Sequence, residues 1–441
     1  MKKFLALVLA LALVLSLAAC GSDKEPAGDK DETTSGKVKL TVYTCFPTAE
    51  PQGALVDKQI AAFEEANQDI EVEHVADAHE AWATKLKTMI VGNNLPEVFI
   101  SQPSDLSVYA ESGAYMDLTD MVEADPEWKD SFVAGTLNTM QYDNRIYGIP
   151  TSCYIEGVFY NQAIFDQCGL TFPATYEELL NCIKVFKENN IVPFLVGGKD
   201  LWPVSMYTQF FMDRQAGYDV FSQSCSDEGI SINTPEVVKG LTKFQEVIEM
   251  GGFSESALTS GEADIETLFL QGKAAMMVNG SWFAGQLSNP EYAEFAENVH
   301  FANFPGFEDG EGIQNAGCYG TGKSYCISSR CDEAQTEAAL RLIKFLCSTE
   351  AADQHMEEIG QLTANKTSDD LDTSKVQRCL IEGMAFSSES DLTWPAYGEL
   401  ITPGYYDEMN KLGQRLLGGE ITAQEMADAL ERARLDFQIN N

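Results

Sequence analysis

"VKLTVYTCFPTAEPQGALVDKQIAAFEEANQDIEVEHVA", residues 38–76, decides the fold. "VKLTVYT" (38–44) reads as a strand. Val56, Ile60 and Phe63 then recur at helical spacing over 53–68, and "IEVEHVA" (70–76) alternates apolar and polar residues as a strand does. "EAWATKLKTMIVG" (80–92) follows as a helix ending at Gly92, and "EVFIS" (97–101) as a third strand. The order βαβαβ implies a parallel sheet wrapped by helices.

Working outward, the pattern restarts after Pro150. Thr175 and Glu178 make a capping box ahead of a helix from 176 to 190, and "VPFLVGG" (192–198) reads as the next strand. Thr234-Pro235 opens another helix. Ala339, Leu342, Ile343 and Leu346 form a helical stripe, and Thr422 with Glu425 caps a last helix carrying Met426 and Leu430 on one face. Two α/β halves are expected. In the second of them, "AAMMVNGSWFAGQL" (274–287) reads as a buried strand, Ala274 to Val278, broken at the turn dipeptide Asn279-Gly280. Trp282 comes just past the strand end. The residues alone allow it to be core or the wall of a ligand cleft.

The N-terminus speaks to location. Lys2 and Lys3 precede an apolar run, Phe4 to Leu17, too short for a comfortable membrane span, which ends in Leu17-Ala18-Ala19-Cys20. This resembles a bacterial lipobox, with 1–19 as signal peptide and Cys20 as the lipidated (palmitate-bearing) N-terminus. The alternative is an ordinary secretory signal with a cysteine at its cleavage site. Residues 20–37 are polar and aperiodic, a flexible tether. Together they place the protein outside the cytoplasm, lipid-anchored to the outer face of the cell membrane.

The full chain carries 68 acidic and 29 basic residues, a formal charge of −39, and loss of residues 1–19 with their two lysines makes it −41. Such a surface repels nucleic acid. Ten cysteines remain after Cys20, mostly inside apolar segments, and without a CxxC pair and with only four histidines they are expected to be free thiols rather than zinc ligands.

Several stretches carry a resemblance: "LPEVFIS" (95–101) with "YAESGAYMDLTD" (109–120), "YGIPTSCYIEGVFYNQAIFDQCGL" (147–170), "LFLQGKAAMMVNGSWF" (268–283) and "EAALRLIKFLCSTEAADQHMEEIGQLTANK" (337–366). In order and spacing they resemble the bacterial extracellular solute-binding proteins of carbohydrate ABC importers, the maltose- and raffinose-type receptors. The resemblance implies a two-lobe periplasmic-binding-protein-like α/β fold. Each lobe would be a mainly parallel sheet flanked by helices, with the ligand cleft between lobes. Lobe 1 is expected over 38–150 plus 306–349 and lobe 2 over 151–305 plus 350–441. It also implies a monomeric, lipid-anchored receptor that binds a sugar, an oligosaccharide above all, and delivers it to ABC permease subunits.

Sugars present apolar C–H faces and polar edges, so a receptor needs aromatic planes and hydroxyl partners. In open α/β sheets ligands lie beyond the strands' carboxyl ends. On that ground Trp282 and Trp202 are expected in the cleft, the family placing the former there. Tyr154, at a family ligand contact, is expected to join them, with its neighbour Glu156. Phe46, Ser101 and Asp105 follow the first and third strands, where ordinary loop residues are the alternative. Gly320 suits close backbone approach. Tyr405 matches a cleft helix of the family, and Trp394 could reach the rim. Trp82 reads as core and Trp128 as surface packing. At the cleft positions Ser101 and Gly198 or Lys199 depart from the maltose receptor, so the resemblance does not carry maltose itself.

A same-fold receptor for a non-sugar solute, a surface glycan-binding protein and a glycosidase share this cleft physics. No GxSxG, HExxH or phosphate-binding loop is present, so no catalytic role, cofactor or metal is expected.

Overall fold

A computed structural model describes residues 36–133, 135–225 and 229–439. The signal segment, Cys20 and the tether up to residue 35 lie outside the described residues. In chain order the strands are β1 (Val38–Thr44), β2 (Ile70–Ala76), β3 (Val98–Ser101), β4 (Gln141–Tyr142), β5 (Arg145–Ile146), β6 (Ile149–Pro150), β7 (Cys153–Asn161), β8 (Val192–Leu195), β9 (Ala274–Gly280), β10 (Val299–Ala302), β11 (Gly317–Thr321), β12 (Ser324–Ile327) and β13 (Thr393–Trp394).

The first sheet runs β2-β1-β3-β12-β6. β1 pairs in parallel with β2, from Val38 opposite Ile70 to Thr44 opposite Ala76, and with β3. The crossovers are the helices Pro51–Ala66, which buries Val56, Ile60 and Phe63, and His79–Val91, which buries Trp82 and Leu86. The opening βαβαβ is therefore present, with Trp82 in the core as its mid-helix position implies.

The second sheet runs β13-β11-β7-β9-β8, with β10 also on β7. It is mixed rather than mainly parallel: β8 lies parallel to β9 and β13 to β11, but β9, β10 and β11 all run antiparallel to β7. The reason is connectivity. β7 carries the chain away from the first sheet and β11 carries it back, so as neighbours they must oppose. Side chains of β7 alternate between two cores, with Cys153, Ile155 and Phe159 in one and Tyr154 and Val158 in the other. Thr175 and Thr234 cap the helices Tyr176–Glu188 and Pro235–Glu249 through their side chains.

Two chain segments pass between the sheets side by side. Thr151 N–H donates to the Lys323 carbonyl at 2.9 Å, and Gly322 N–H to the Ser152 carbonyl at 2.8 Å. The return expected near 305 thus occurs at 322–323, because β11 belongs to the second sheet. Residues 349–366 still hold to the first: Lys58 pairs with Glu358, and Asn365 bridges Phe132. Trp128 is buried and donates its indole N–H to the Cys347 carbonyl at 3.0 Å, so it is core rather than surface packing. The ten cysteines after Cys20 are free thiols, most of them buried.

Candidate functional site

β9 is buried along its whole length and extends through Asn279 and Gly280, which pair with Gly157 and Glu156 of β7. Asn279-Gly280 is therefore strand, not turn. Gly280 serves the ring that follows: a Cβ there would stand 2.0 Å from the six-membered ring of Trp282. Only glycine lets the indole lie back over the strand end. Trp282 itself is half-buried. Tyr154 meets it edge-on at 5.7 Å, and Trp202 stands 6.0 Å away at 59°.

Trp202 opens the helix Trp202–Ala216, and the residue before it, Leu201, has φ +69° and ψ −60°. That is a strained γ-turn for a residue with a side chain, costing on the order of 1–3 kcal/mol. It sets Trp202 across from His79, whose ring lies at 6.4 Å.

Beside Trp282 lies a cavity of about 280 Å³. Cys45, Glu50, Gln52, His79 and Glu80 line it from the first sheet's side, and Asp200, Glu262, Glu266 and Gln286 from the second's, with Gln361 also contributing. Glu262 and Glu266 are four apart on the helix Glu262–Leu270 and so share a face. Glu262 accepts the Trp282 indole N–H at 2.9 Å, and its own backbone N–H donates to Asp200 at 2.7 Å. Glu266 accepts from Asn279 Nδ2 at 3.1 Å. Burial first, then their neighbouring carboxylates, pushes both Glu262 and Glu266 above the ordinary carboxylate range. Burial lowers His79, with Lys323 adding to the effect. Chemically, the site offers indole surface, amides and an unusual density of acceptors.

The sequence candidates divide. Trp282 lines the cavity and Trp202 stands beside it. Tyr154 is 8% exposed and backs Trp282, while its hydroxyl donates to Glu399 and accepts from Ala396 N–H at 3.0 Å. Gly320 makes room for that contact, since a Cβ would sit 2.4 Å from the Tyr154 hydroxyl. Glu156 points into the second core with one oxygen unpartnered, and burial lifts it to about 7. Asp213 nearby, bonded by the Tyr397 hydroxyl, is lifted by burial to about 8, beside the buried Arg214 guanidinium. Phe46 is packed in the first core, as strand-end chain turning inward. Ser101 is fully buried, paired with Ser324 in the sheet and bonded to the Tyr115 hydroxyl at 2.5 Å. Asp105 is 4% exposed on a short 3-10 turn, and burial raises it to about 6. Tyr405 lies in the second core, and Trp394 stacks on Tyr218 at 5.4 Å instead of reaching a rim. What sequence reasoning missed is the acidic lining. The i, i+4 pair Glu262/Glu266 just ahead of β9 was the available signal.

The sequence profile of the bacterial extracellular solute-binding proteins matches residues 47–353. The multiple sugar-binding protein of Streptococcus mutans is 23% identical, over 79% of each chain. The galactooligosaccharide-binding protein of Bacillus subtilis is 25% identical, over 91% of this chain and 90% of that one. A solved structure from work on xylan utilization by the thermophilic bacterium Caldanaerobius polysaccharolyticus superposes with a TM-score of 0.84 at 24% identity, covering 90% of this chain and 99% of the other.

Proposed function

The chain belongs to the bacterial extracellular solute-binding proteins, and from that premise we propose that it captures a saccharide beside Trp282 and delivers it to the membrane subunits of an ABC importer. The observation that carries this is the placing of a half-buried indole on the wall of a cavity bounded by both sheets. At about 280 Å³ the cavity lies just below the usual span of small-molecule sites, roughly 300–1,000 Å³. It suits one sugar unit of an oligosaccharide whose other units run along the cleft. Trp282 and Trp202 supply faces for C–H stacking, and Tyr154 props Trp282 from behind.

The two sheets are proposed to act as two lobes that swing about the paired crossings at 151–152 and 322–323. A ligand gripped from both sides favours the shut state, because only its difference in affinity between states shifts the population. The mature protein is proposed to be a monomer anchored to the outer membrane face by lipid on Cys20. Intact-mass measurement of that N-terminus tests the anchor, and an unmodified start elsewhere removes it.

The central test is a thermal-shift panel of mono- and oligosaccharides. A matching sugar should raise the melting temperature, shift tryptophan emission and shrink the radius of gyration at one concentration range. A panel without a single stabilising saccharide overturns the reading.

A further inference from the structure

Acidic residues outnumber basic ones 68 to 29, so carboxylates near a cavity decide nothing by number. Their setting decides more. Glu50, Glu80, Asp200, Glu262 and Glu266 surround one cavity of about 280 Å³. Elsewhere acids find cations: Asp69 pairs with Arg341, Asp125 with Lys344, Asp309 with Lys239 and Lys243. Around the cavity, among the described residues, the one ion-pair contact is Glu80 with His79 at 3.4 Å, and burial holds that imidazole toward its neutral form. Lys323, the nearby cation, donates to Gln102 Oε1 at 2.7 Å and to His79 Nε2 at 3.1 Å, and lies over Trp82 at 5.1 Å.

Some of the protein's own donors at the cavity are engaged, while the amides of Gln52, Gln286 and Gln361 also line it. Trp282 N–H serves Glu262 and Asn279 serves Glu266. Carboxyl oxygens still outnumber donors in the lining. A plain hydroxyl both donates and accepts, whereas an ammonium has three donors and no acceptor, which matches this lining. Enclosed carboxylates without a counter-charge are also costly, and a bound cation offsets that cost. A metal ion fits poorly: among the described residues no group of three or more His, Cys, Asp or Glu side chains is placed to hold one. The acids surround a volume instead of converging on a point. The faces of Trp282 and Trp202 add cation–π attraction.

We propose that the ligand unit held beside Trp282 carries a protonated amine, making the solute an amino sugar rather than a neutral or acetylated one. This rests on the saccharide reading above. The test is calorimetry on the mature chain with glucosamine and its oligomers against the N-acetylated counterparts, at about pH 6.5, where such amines hold their proton. The free amines should bind at least about tenfold more tightly, by charge pairing with the lining. Glu266→Gln should abolish the preference while leaving the melting temperature close to wild type. Asp200→Asn serves as a second variant should Glu266→Gln fold poorly, and the same loss of preference is expected. If acetylated or neutral sugars bind as well as the amines, or the preference survives both variants, the charge inference is overturned and the saccharide reading stands. If neither class of sugar binds, the saccharide reading itself fails and this inference with it.

Discussion

Two groups of enclosed carboxylates flank the Tyr154–Trp282 pair, and they are built on opposite plans. Behind Tyr154, Asp213, Glu156 and Glu399 are met by the protein's own donors or neighbours: Tyr397 on Asp213, Tyr154 on Glu399, Cys318 beside Glu156. Arg214 lies close by and fastens to Asn303 Oδ1 at 2.8 Å and the Phe304 carbonyl at 3.0 Å. In front of Trp282, Glu262, Glu266, Glu80, Glu50 and Asp200 border empty space. The closed group faces the core, with one oxygen each of Glu156 and Asp213 left unpartnered; the open group faces the cavity. The lesson is that enclosure of an acid says little until it is known whether it faces core or cavity.

The largest expected effect breaks the closed group. Arg214→Ala removes a fully buried guanidinium and should lower the free energy of unfolding by about 3 kcal/mol. Denaturant titration measures it, and the folded fraction should keep its ligand affinity. A drop in affinity with stability intact would reverse the assignment of the two groups.

Next comes the open side. Trp282→Ala should weaken ligand binding by about ten- to a hundredfold, about 1–3 kcal/mol, with a small change in melting temperature. The opposite pattern, intact affinity and a collapsed melting temperature, would make Trp282 core.

The smallest effect is pH dependence. Asp213 stands at about 8 and Glu156 at about 7, against ordinary values of 3.8 and 4.5. The folded state keeps protons that the unfolded chain gives up, so their stabilisation is whole only below about pH 4, declines as pH rises from there, and its last part is lost as pH climbs through about 7 to 8. Melting curves should therefore fall across that window, by on the order of 1–2 kcal/mol. Asp213→Asn should flatten the decline. A flat wild-type profile would mean these carboxyls are better solvated than their burial implies.

Much of this architecture was legible because it rests on local periodicity. Val56, Ile60 and Phe63, the alternation in 70–76 and the caps at Thr175 and Thr234 each state their element within a few residues. Trp282 was legible for the same reason, as a strand-end aromatic. What escaped depends on distance. Gly280 read as a turn residue, but its purpose is room for a ring two positions on. Ser101 and Trp394 read as cleft candidates, yet partners 14 residues and more away, Tyr115 and Tyr218, take them into the core. The acidic lining comes from four separate segments, and in a chain with 68 acidic residues only the i, i+4 pair Glu262/Glu266 carries a local pattern.

The ten free thiols bear on how such a protein survives outside the cell. Thiolate, not thiol, attacks disulfides and oxidants. Burial lifts Cys45, Cys153, Cys182, Cys225 and Cys331 to about 11, Cys379 to about 12, and Cys318, Cys326 and Cys347 higher still, from an ordinary 9.0. Two units cut the thiolate population by about a hundredfold. Resistance to oxidation is thus a property of the folded state, acquired at the moment of folding. During export the chain is in a race, and whichever comes first, packing or cross-linking, decides its fate. A thiol-reactive reagent should accordingly find few targets in the native protein and many once denaturant is added.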